Sequence, residues 1–308
     1  MPNPIDLQIQ TTASDGVHSP AECVRMAKQN GVHTIAITDH DTVAGVAEAL
    51  AAGKELDVRV IPGIEISIQE HGMHLLGLGI DPANPELLAE LKKTAENRLK
   101  AAKHMVENFQ SDGWAVDWED VVREAEGSAV VTRPHIVGAI MKRPENAAKL
   151  EGITTKHEFF QKHFTDESRY YVRASTITPA GAIALVHGAG GVAVWSHPPI
   201  PDFIGNCPAL EEFLKELICH GLDGLEVFGP SLTESDFHCL EGLAERYHLL
   251  TTAGSDFHEG RPPSQDPWPR SATTIGDYPT YGRSLDGILG RLDAAMGERR
   301  LGVASGRK

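Results

Sequence analysis

The chain has 308 residues, 41% of them hydrophobic, which is enough for one large α/β domain or for a barrel with an insertion. The chain contains no run of about 18 apolar residues, which argues against a membrane-spanning helix. The opening MPNPID lacks the basic and apolar regions of a secretory signal. A formal net charge of −15 argues against binding to duplex DNA, which requires a basic face.

Short β-branched segments alternate with helical patterns at the start of the chain. IDLQIQ predicts a first strand, and SPAECVRMAKQNG predicts an N-capped helix that ends at Gly31. TIAITDHD and RVIPGIEISI predict two further strands, separated by a helix in VAGVAEALAAGKE. HLLGLGI predicts a strand reached through the short turn QEHGM, which indicates a hairpin.

The pattern changes between Asp81 and about Ser175. PELLAELKKTAENRLKAAKHMVENFQSDG predicts a long amphipathic helix, and shorter helical patterns follow without a strand. GVAVWSHP, GLEVFG and LLTTAGSDFH then predict strands, and GRSLDGILGRLDAAMGERRLGVASGRK predicts one helix and a loose basic tail. We therefore predict an α/β domain with a parallel sheet or barrel in residues 1–81 and 176–308, and a helical insertion, or cap, in residues 82–175.

The four cysteines show no CxxC pairing: Cys23, Cys207, Cys219 and Cys239. Their pattern predicts reduced thiols in a cytoplasmic protein, most simply as small buried apolar residues.

Histidines and carboxylates gather where predicted strands begin or end, at Asp15, Asp39, His40, Asp41, Glu65, His74, His197, Asp256 and His258. Any one of them could instead cap a helix or satisfy a turn, but so many strand ends of this kind are hard to attribute to capping. Because parallel α/β folds place their sites at these ends, we expect the side chains to converge. Mixed nitrogen and oxygen ligands suit Zn²⁺, Mn²⁺ or Fe, and bridging carboxylates suit a multinuclear site.

The series DLQIQTTASDG…ITDHDT…GIEIS…HLLGLGID…SHP…GSDFH resembles the PHP (polymerase and histidinol phosphatase) family of metal-dependent phosphoesterases. It is most like the bacterial branch with a helical insertion and a TR-x-H element, here Thr132 to His135. The resemblance implies a distorted (β/α)7 barrel with up to three metal ions at its mouth. It also implies removal of the 3′-phosphate from nucleoside 3′,5′-bisphosphates, or 5′→3′ hydrolysis of short 5′-phosphorylated RNA.

The resemblance assigns ligands position by position. The third ion would take Asp15, His40 and His258, and the second would take Glu65, His74 and His197. For the place of His74, His71 and His135 are alternatives. The first ion would take Glu65, Asp256 and the two positions of an opening H-x-H, which here are Gln8 and Gln10. Glu65, His197 and Asp256 form the implied catalytic group.

Gln8 and Gln10 therefore stand where the resemblance calls for histidines. An amide oxygen is a weak neutral ligand and an amide nitrogen is no ligand, whereas neutral imidazole binds transition metals well. We expect the first ion to be weakly held, replaced by a harder ion or absent, with a loss of activity but not of fold.

Arg133 is the predicted contact for the substrate phosphate, because a guanidinium grips phosphate oxygens through paired hydrogen bonds. His135 would help to bind phosphate or protonate a leaving oxygen, and Tyr171 and Arg173 are weaker candidates. A surface arginine near a helix start is the plain alternative for Arg133. Asp39 and Asp41 are expected to orient ligating imidazoles, with helix capping an equal alternative for Asp41.

We thus expect a cytoplasmic phosphoesterase in which a metal-bridging hydroxide attacks a small nucleotide such as adenosine 3′,5′-bisphosphate or an AMP-like molecule. Mn²⁺ is the expected ion, with Zn²⁺, Fe²⁺ or Mg²⁺ as alternatives. Two other functions stay open: histidinol-phosphate phosphatase, and a degenerate relative that binds nucleotide or phosphate with little turnover.

Overall fold

A computed structural model describes residues 2–69, 72–126, 128, 130–164, 168–198, 203–260 and 272–304. The chain divides into two compact units. The first, here called the barrel unit, comprises Met1–Glu90 and Ile177–Lys308, and the second, the helical unit, comprises Leu91–Thr176. The boundary thus falls inside a helix, because that helix is long enough to contribute residues to both units.

Within the described residues, seven strands of the barrel unit form one sheet in chain order: β1 (Ile5–Asp6), β2 (Thr34–Ile37), β3 (Arg59–Ser67), β4 (His74–Leu78), β5 (Val192–Ser196), β6 (Gly224–Phe228) and β7 (Leu250–Ala253). β4 is antiparallel to both of its neighbours, and the other adjacent pairs are parallel. The hairpin and the (β/α)7 barrel are therefore confirmed.

The barrel closes between its first and last strands. The Leu7 N–H donates to the Ala253 carbonyl at 2.9 Å, and Ile9 forms a parallel bridge with Phe257. β1 is shorter than the predicted IDLQIQ, because the Ile9 N–H donates to the Thr38 side chain at 3.1 Å instead of to a backbone carbonyl. Residues 7–10 nevertheless continue along the barrel wall.

Ten α-helices are present in the described part of the chain: α1 (Pro20–Asn30), α2 (Val46–Leu56), α3 (Pro85–Ser111), α4 (Trp118–Glu124), α5 (Arg133–Met141), α6 (Lys156–His163), α7 (Pro179–Gly188), α8 (Cys207–Cys219), α9 (Glu234–Arg246) and α10 (Ile288–Ala304). α1 shows why the sequence signals work: Ser19 and Glu22 form a capping box at its start, and Gly31 ends it with φ 76°. The basic tail predicted after α10 lies outside the described residues from position 305 onwards.

Apolar cores among the described residues support these elements. In the barrel unit, α1 and α2 cover the first strands through a cluster that includes Val24, Ile35 and Phe257. In the helical unit, α3 to α6 enclose an aromatic core around Phe109 and Phe159, both fully buried. The described residues of the helical unit contain no strand, in agreement with the helical pattern of the sequence.

The prediction of reduced thiols is wrong for two of the four cysteines, and the prediction of burial is wrong for Cys219 as well. Cys207 and Cys239 form a disulfide that joins α8 to α9, across 32 positions of sequence. Cys23 is free and buried as expected, whereas Cys219 is free and exposed. In the described part of the chain, every helix is too short or too polar to span a bilayer.

Candidate metal centre

The predicted strand-end side chains of the barrel unit lie at the carboxyl ends of the parallel strands. His40 follows β2 and bridges to Glu65 of β3, and His197 directly follows β5. His258 and Asp256 follow β7. β4 runs in the opposite direction, so its first residue, His74, reaches the same end.

One group of ligands, here called the Asp15 cluster, consists of Asp15, His40 and His258. Their ligand atoms all lie within 4.8 Å of one another. Asp15 Oδ1 lies 3.5 Å from His258 Nε2 and 4.0 Å from His40 Nε2. One carboxylate and two imidazoles at these distances form a set that a divalent ion can draw together.

A second group, the Glu65 cluster, consists of Glu65, His74 and His197. Glu65 Oε1 lies 3.1 Å from His74 Nδ1 and 3.2 Å from His197 Nε2. The two imidazole nitrogens are themselves 3.4 Å apart. His40 connects the two clusters, since its Nδ1 lies 3.7 Å from Glu65 Oε2, and among the described residues this buried nitrogen has no hydrogen-bond partner.

The solvent exposure of the ligands differs across the site, which has a buried base and an accessible mouth. The Glu65 side chain is fully buried, whereas His197 and His258 are 24% and 30% exposed. Burial alone would raise the pKa of Glu65, but the neighbouring imidazoles, His40 first, hold it well below its ordinary value. Glu65 is therefore the fixed negative charge of the centre.

The imidazoles differ in protonation. Burial lowers the pKa of His74 to about 4, so this ring is neutral and ready to ligate. Burial also acts to lower the pKa of His197, but the hydrogen bond and charge of Glu65 raise it to about 9. For His258, burial is likewise outweighed, by the charges of Asp256 and Asp15, and the pKa is again about 9. An ion must displace a proton from each of these two rings.

Gln8 and Gln10, here called the amide pair, lie at the base of the centre and are fully buried. Gln8 Nε2 donates to Glu65 Oε2 at 3.2 Å and to Ser196 Oγ at 2.8 Å. Gln10 Nε2 donates to the same Glu65 oxygen at 2.5 Å. Both amide oxygens are buried, with no hydrogen-bond partner in the described part of the structure.

Asp256 is the most exposed of the predicted ligands, at 38% of its side chain. Its Oδ1 lies 3.8 Å from His258 Nδ1, and that nitrogen also lies 2.8 Å from the Asp256 carbonyl. The Asp256 backbone has φ 50°, a left-handed conformation that is uncommon outside glycine and is shared by Asp41 (50°) and His197 (33°).

Asp39 and Asp41 accept hydrogen bonds from backbone N–H groups and, for Asp39, from hydroxyls, and the sequence did not reveal these contacts. Asp39 accepts hydrogen bonds from the Thr11 N–H, the Thr11 hydroxyl and the Ser14 hydroxyl, at 2.7, 2.8 and 2.6 Å. It thus fixes the loop that carries Asp15. Asp41 accepts from the Ser67 N–H at 2.8 Å, and α2 begins later, with Gly45 at its N-cap.

Two supporting residues were missed by sequence reasoning. Glu226, in the middle of β6, accepts the backbone N–H of His197 at 2.9 Å and so holds that ligand in its unusual conformation. Ser196 connects Gln8 to Glu65, with its hydroxyl 3.3 Å from Glu65 Oε1. A charged residue inside the otherwise apolar GLEVF was the signal for Glu226, whereas Ser196 gave none.

The residues predicted to contact the substrate belong to the helical unit. The Arg133 guanidinium lies 5.1 Å from the centre of the Tyr171 ring and 5.8 Å from that of Phe160. His135 completes a capping box at the start of α5, with its Nδ1 3.1 Å from the Thr132 nitrogen. Arg173 also belongs to this unit. His71, the alternative ligand to His74, lies outside the described residues.

The ligand chemistry fits divalent ions at two places and not at a third. The Asp15 and Glu65 clusters offer carboxylates and imidazoles, the donors that suit Mn²⁺, Zn²⁺ or Fe²⁺. His40 can give one nitrogen to an ion, because a neutral imidazole has a single lone pair. The amide pair presents N–H groups to Glu65, and these groups have no lone pair to give.

Comparisons with known proteins agree with this geometry. The PHP domain profile matches residues 6–172. A 3′,5′-nucleoside bisphosphate phosphatase from Chromobacterium violaceum is 31% identical, over 82% of this chain and 87% of its own length. A 5′-3′ exoribonuclease from Haemophilus influenzae is 30% identical, over 82% and 89%. A crystal structure from Bifidobacterium adolescentis, of a protein considered a metal-dependent phosphoesterase, superposes with a TM-score of 0.77 at 30% identity, covering 96% of this chain and 98% of that one.

Proposed function

Because the chain belongs to the PHP domain family, and is therefore a metal-dependent phosphoesterase, we propose that it removes the 3′-phosphate from nucleoside 3′,5′-bisphosphates. Adenosine 3′,5′-bisphosphate is the representative substrate. The observation that carries the proposal is the convergence of two ligand clusters, centred on Asp15 and on Glu65, at one end of the barrel. The similarity to a nucleoside bisphosphate phosphatase supports this choice of substrate.

The metal ions are assigned to these clusters. Bound divalent cations would lower the pKa of water and neutralise phosphate oxygens. Glu65 supplies the buried carboxylate between the imidazoles, and the Glu226 carboxylate holds His197 in place. Asp256, at the exposed side of the centre, is the carboxylate best placed to meet substrate and water.

Arg133 is assigned to phosphate binding. Stacking against Tyr171 and Phe160 restricts the guanidinium, which lowers the entropy cost of aligning its paired donors with phosphate oxygens. Tyr171 is assigned to the same substrate contact through its ring. His135 holds the first turn of α5, so its contribution to substrate binding includes keeping Arg133 in position.

A polyanionic substrate requires local positive charge, because the chain carries a net charge of −15. Metal ions would supply it at the ligand clusters, and Arg133 is the cation assigned to a substrate phosphate. The similarity to an exoribonuclease favours short 5′-phosphorylated RNA as a second substrate for the same site.

The test is phosphate release from adenosine 3′,5′-bisphosphate with Mn²⁺, before and after chelation. We expect release that is lost on chelation and recovered with added metal. His197→Ala should abolish it, and His220→Ala, which changes an exposed histidine after α8, should not. Release from histidinol phosphate but from no nucleotide or RNA would refute the assignment.

A further inference from the structure

The two oxygens of the Glu65 carboxylate have different surroundings. Oε1 faces the imidazoles of His74 and His197, at 3.1 and 3.2 Å. Oε2 faces the amide nitrogens of Gln8 and Gln10, at 3.2 and 2.5 Å. Oε1 is thus flanked by imidazoles, whereas the nearest polar neighbours of Oε2 are amide N–H donors, with His40 Nδ1 farther away at 3.7 Å.

The orientation of the Gln10 amide follows from its neighbours. The nitrogen of this amide lies within reach of Glu65 Oε2 and of the Thr38 carbonyl, at 3.4 Å. The Thr38 carbonyl can only accept a hydrogen bond, so the oxygen of this amide cannot satisfy it. Only the NH₂ end of the amide satisfies both, and its two hydrogens are then fully used.

The Gln8 amide is fixed in the same way. Its NH₂ group donates to Glu65 Oε2 and to Ser196 Oγ. The Ser196 hydroxyl in turn donates a hydrogen bond to Glu65 Oε1. The first carbon of the Gln8 side chain packs tightly against Gly254, because a Cβ added at this glycine would lie only 2.5 Å from Gln8 Cβ. Turning either amide would place its oxygen against an oxygen of the Glu65 carboxyl group.

We propose that this chain has a centre for two metal ions, in which the amide pair takes the place of a cation beside Glu65 Oε2. Charge-assisted N–H donors stabilise the buried carboxylate there, and they leave no lone pair for an ion. The two ions belong to the Asp15 cluster and the Glu65 cluster. This inference deepens the proposed function and rests on it for the presence of metal.

The competing arrangement is a third, hard cation held by the amide oxygens. Both oxygens are buried without a partner in the described residues, so each has lone pairs to offer. Such an ion would require both amides to turn, leaving the Thr38 carbonyl without its donor and exposing Glu65 Oε2 to the ion instead. The number of ions per chain separates the two arrangements.

The experiment is a metal count by mass spectrometry after equilibration with Mn²⁺ and removal of free ion. We expect two ions in the unaltered chain and three in Gln8→His/Gln10→His, because two imidazoles restore lone pairs beside Glu65 Oε2. The control Gln29→His adds an imidazole on the exposed face of α1 and should leave the count at two.

Three ions in the unaltered chain would overturn the inference, and that measurement needs no variant to fold. A folded double variant that still binds two ions would overturn it as well. Phosphate release is followed separately. Two ions without release would refute the proposed function and leave the ion count standing, whereas three ions with release would do the reverse.

Discussion

The sharpest prediction concerns Asp39, which is almost fully buried and holds the loop that carries Asp15. Asp39→Ala removes the acceptor of three hydrogen bonds, two from Thr11 and one from Ser14. Each bond to a charged group contributes roughly 1.5–3 kcal/mol. The sum of these three contributions is an upper limit. Burial raises the pKa of Asp39, which shows that burying this carboxylate costs free energy, and the substitution by alanine removes that cost.

We therefore expect Asp39→Ala to lower the free energy of unfolding by about 3–4 kcal/mol, measured by urea denaturation. Ser14→Ala removes a single one of these bonds and should cost about 1–2 kcal/mol. The loop that carries Asp15 should also lose its fixed position. The metal count should fall from two to one in Asp39→Ala, because the Glu65 cluster does not depend on this loop.

Asp286→Ala is the matched control, since it removes an exposed carboxylate from the same unit. Its stability and metal count should equal those of the unaltered chain. If Asp39→Ala unfolds at the same urea concentration and retains both ions, the carboxylate does not position the loop, and the reasoning is refuted.

The remaining predictions address substrate, protons and thiols. Arg133→Ala should raise KM for adenosine 3′,5′-bisphosphate at least tenfold with an unchanged metal count; loss of metal would show that its role is misassigned. Because His197 and His258 have pKa values of about 9, both are protonated at pH 7 in the metal-free chain. Mn²⁺ binding should therefore release protons and tighten as the pH rises towards 9; titration calorimetry in two buffers that gives equal heats would contradict this. Thiol titration of the denatured, unreduced chain should find two free thiols, with Cys207 and Cys239 joined, and four would contradict the disulfide.

The periodicity of apolar residues along the sequence predicted most of the fold. The alternation of apolar strands and capped helices predicted the barrel, and the turn before HLLGLGI predicted the hairpin of β3 and β4. These features are local, so the sequence displays them directly. The disulfide between Cys207 and Cys239 is not local: it depends on how α8 and α9 lie beside each other, which no cysteine spacing indicates.

The sequence predicted which residues form the candidate centre, but not the hydrogen bonds that connect them to their surroundings. The strand-end rule brought Asp15, Glu65 and His197 to attention because such residues are costly to bury without a purpose. The partners of Asp39 were not predictable, since a loop closes on it only in three dimensions. Which end of the Gln10 amide meets Glu65 likewise depends on the Thr38 carbonyl, a backbone atom that any residue would provide.

The most direct test of the central claim is to identify the products formed from adenosine 3′,5′-bisphosphate by the Mn²⁺-loaded chain. Chromatography should show AMP and inorganic phosphate in equal amounts, with the 5′-phosphate retained, and neither product after chelation. Adenosine 3′-phosphate as the product, or an unchanged substrate in the presence of bound metal, would contradict the account.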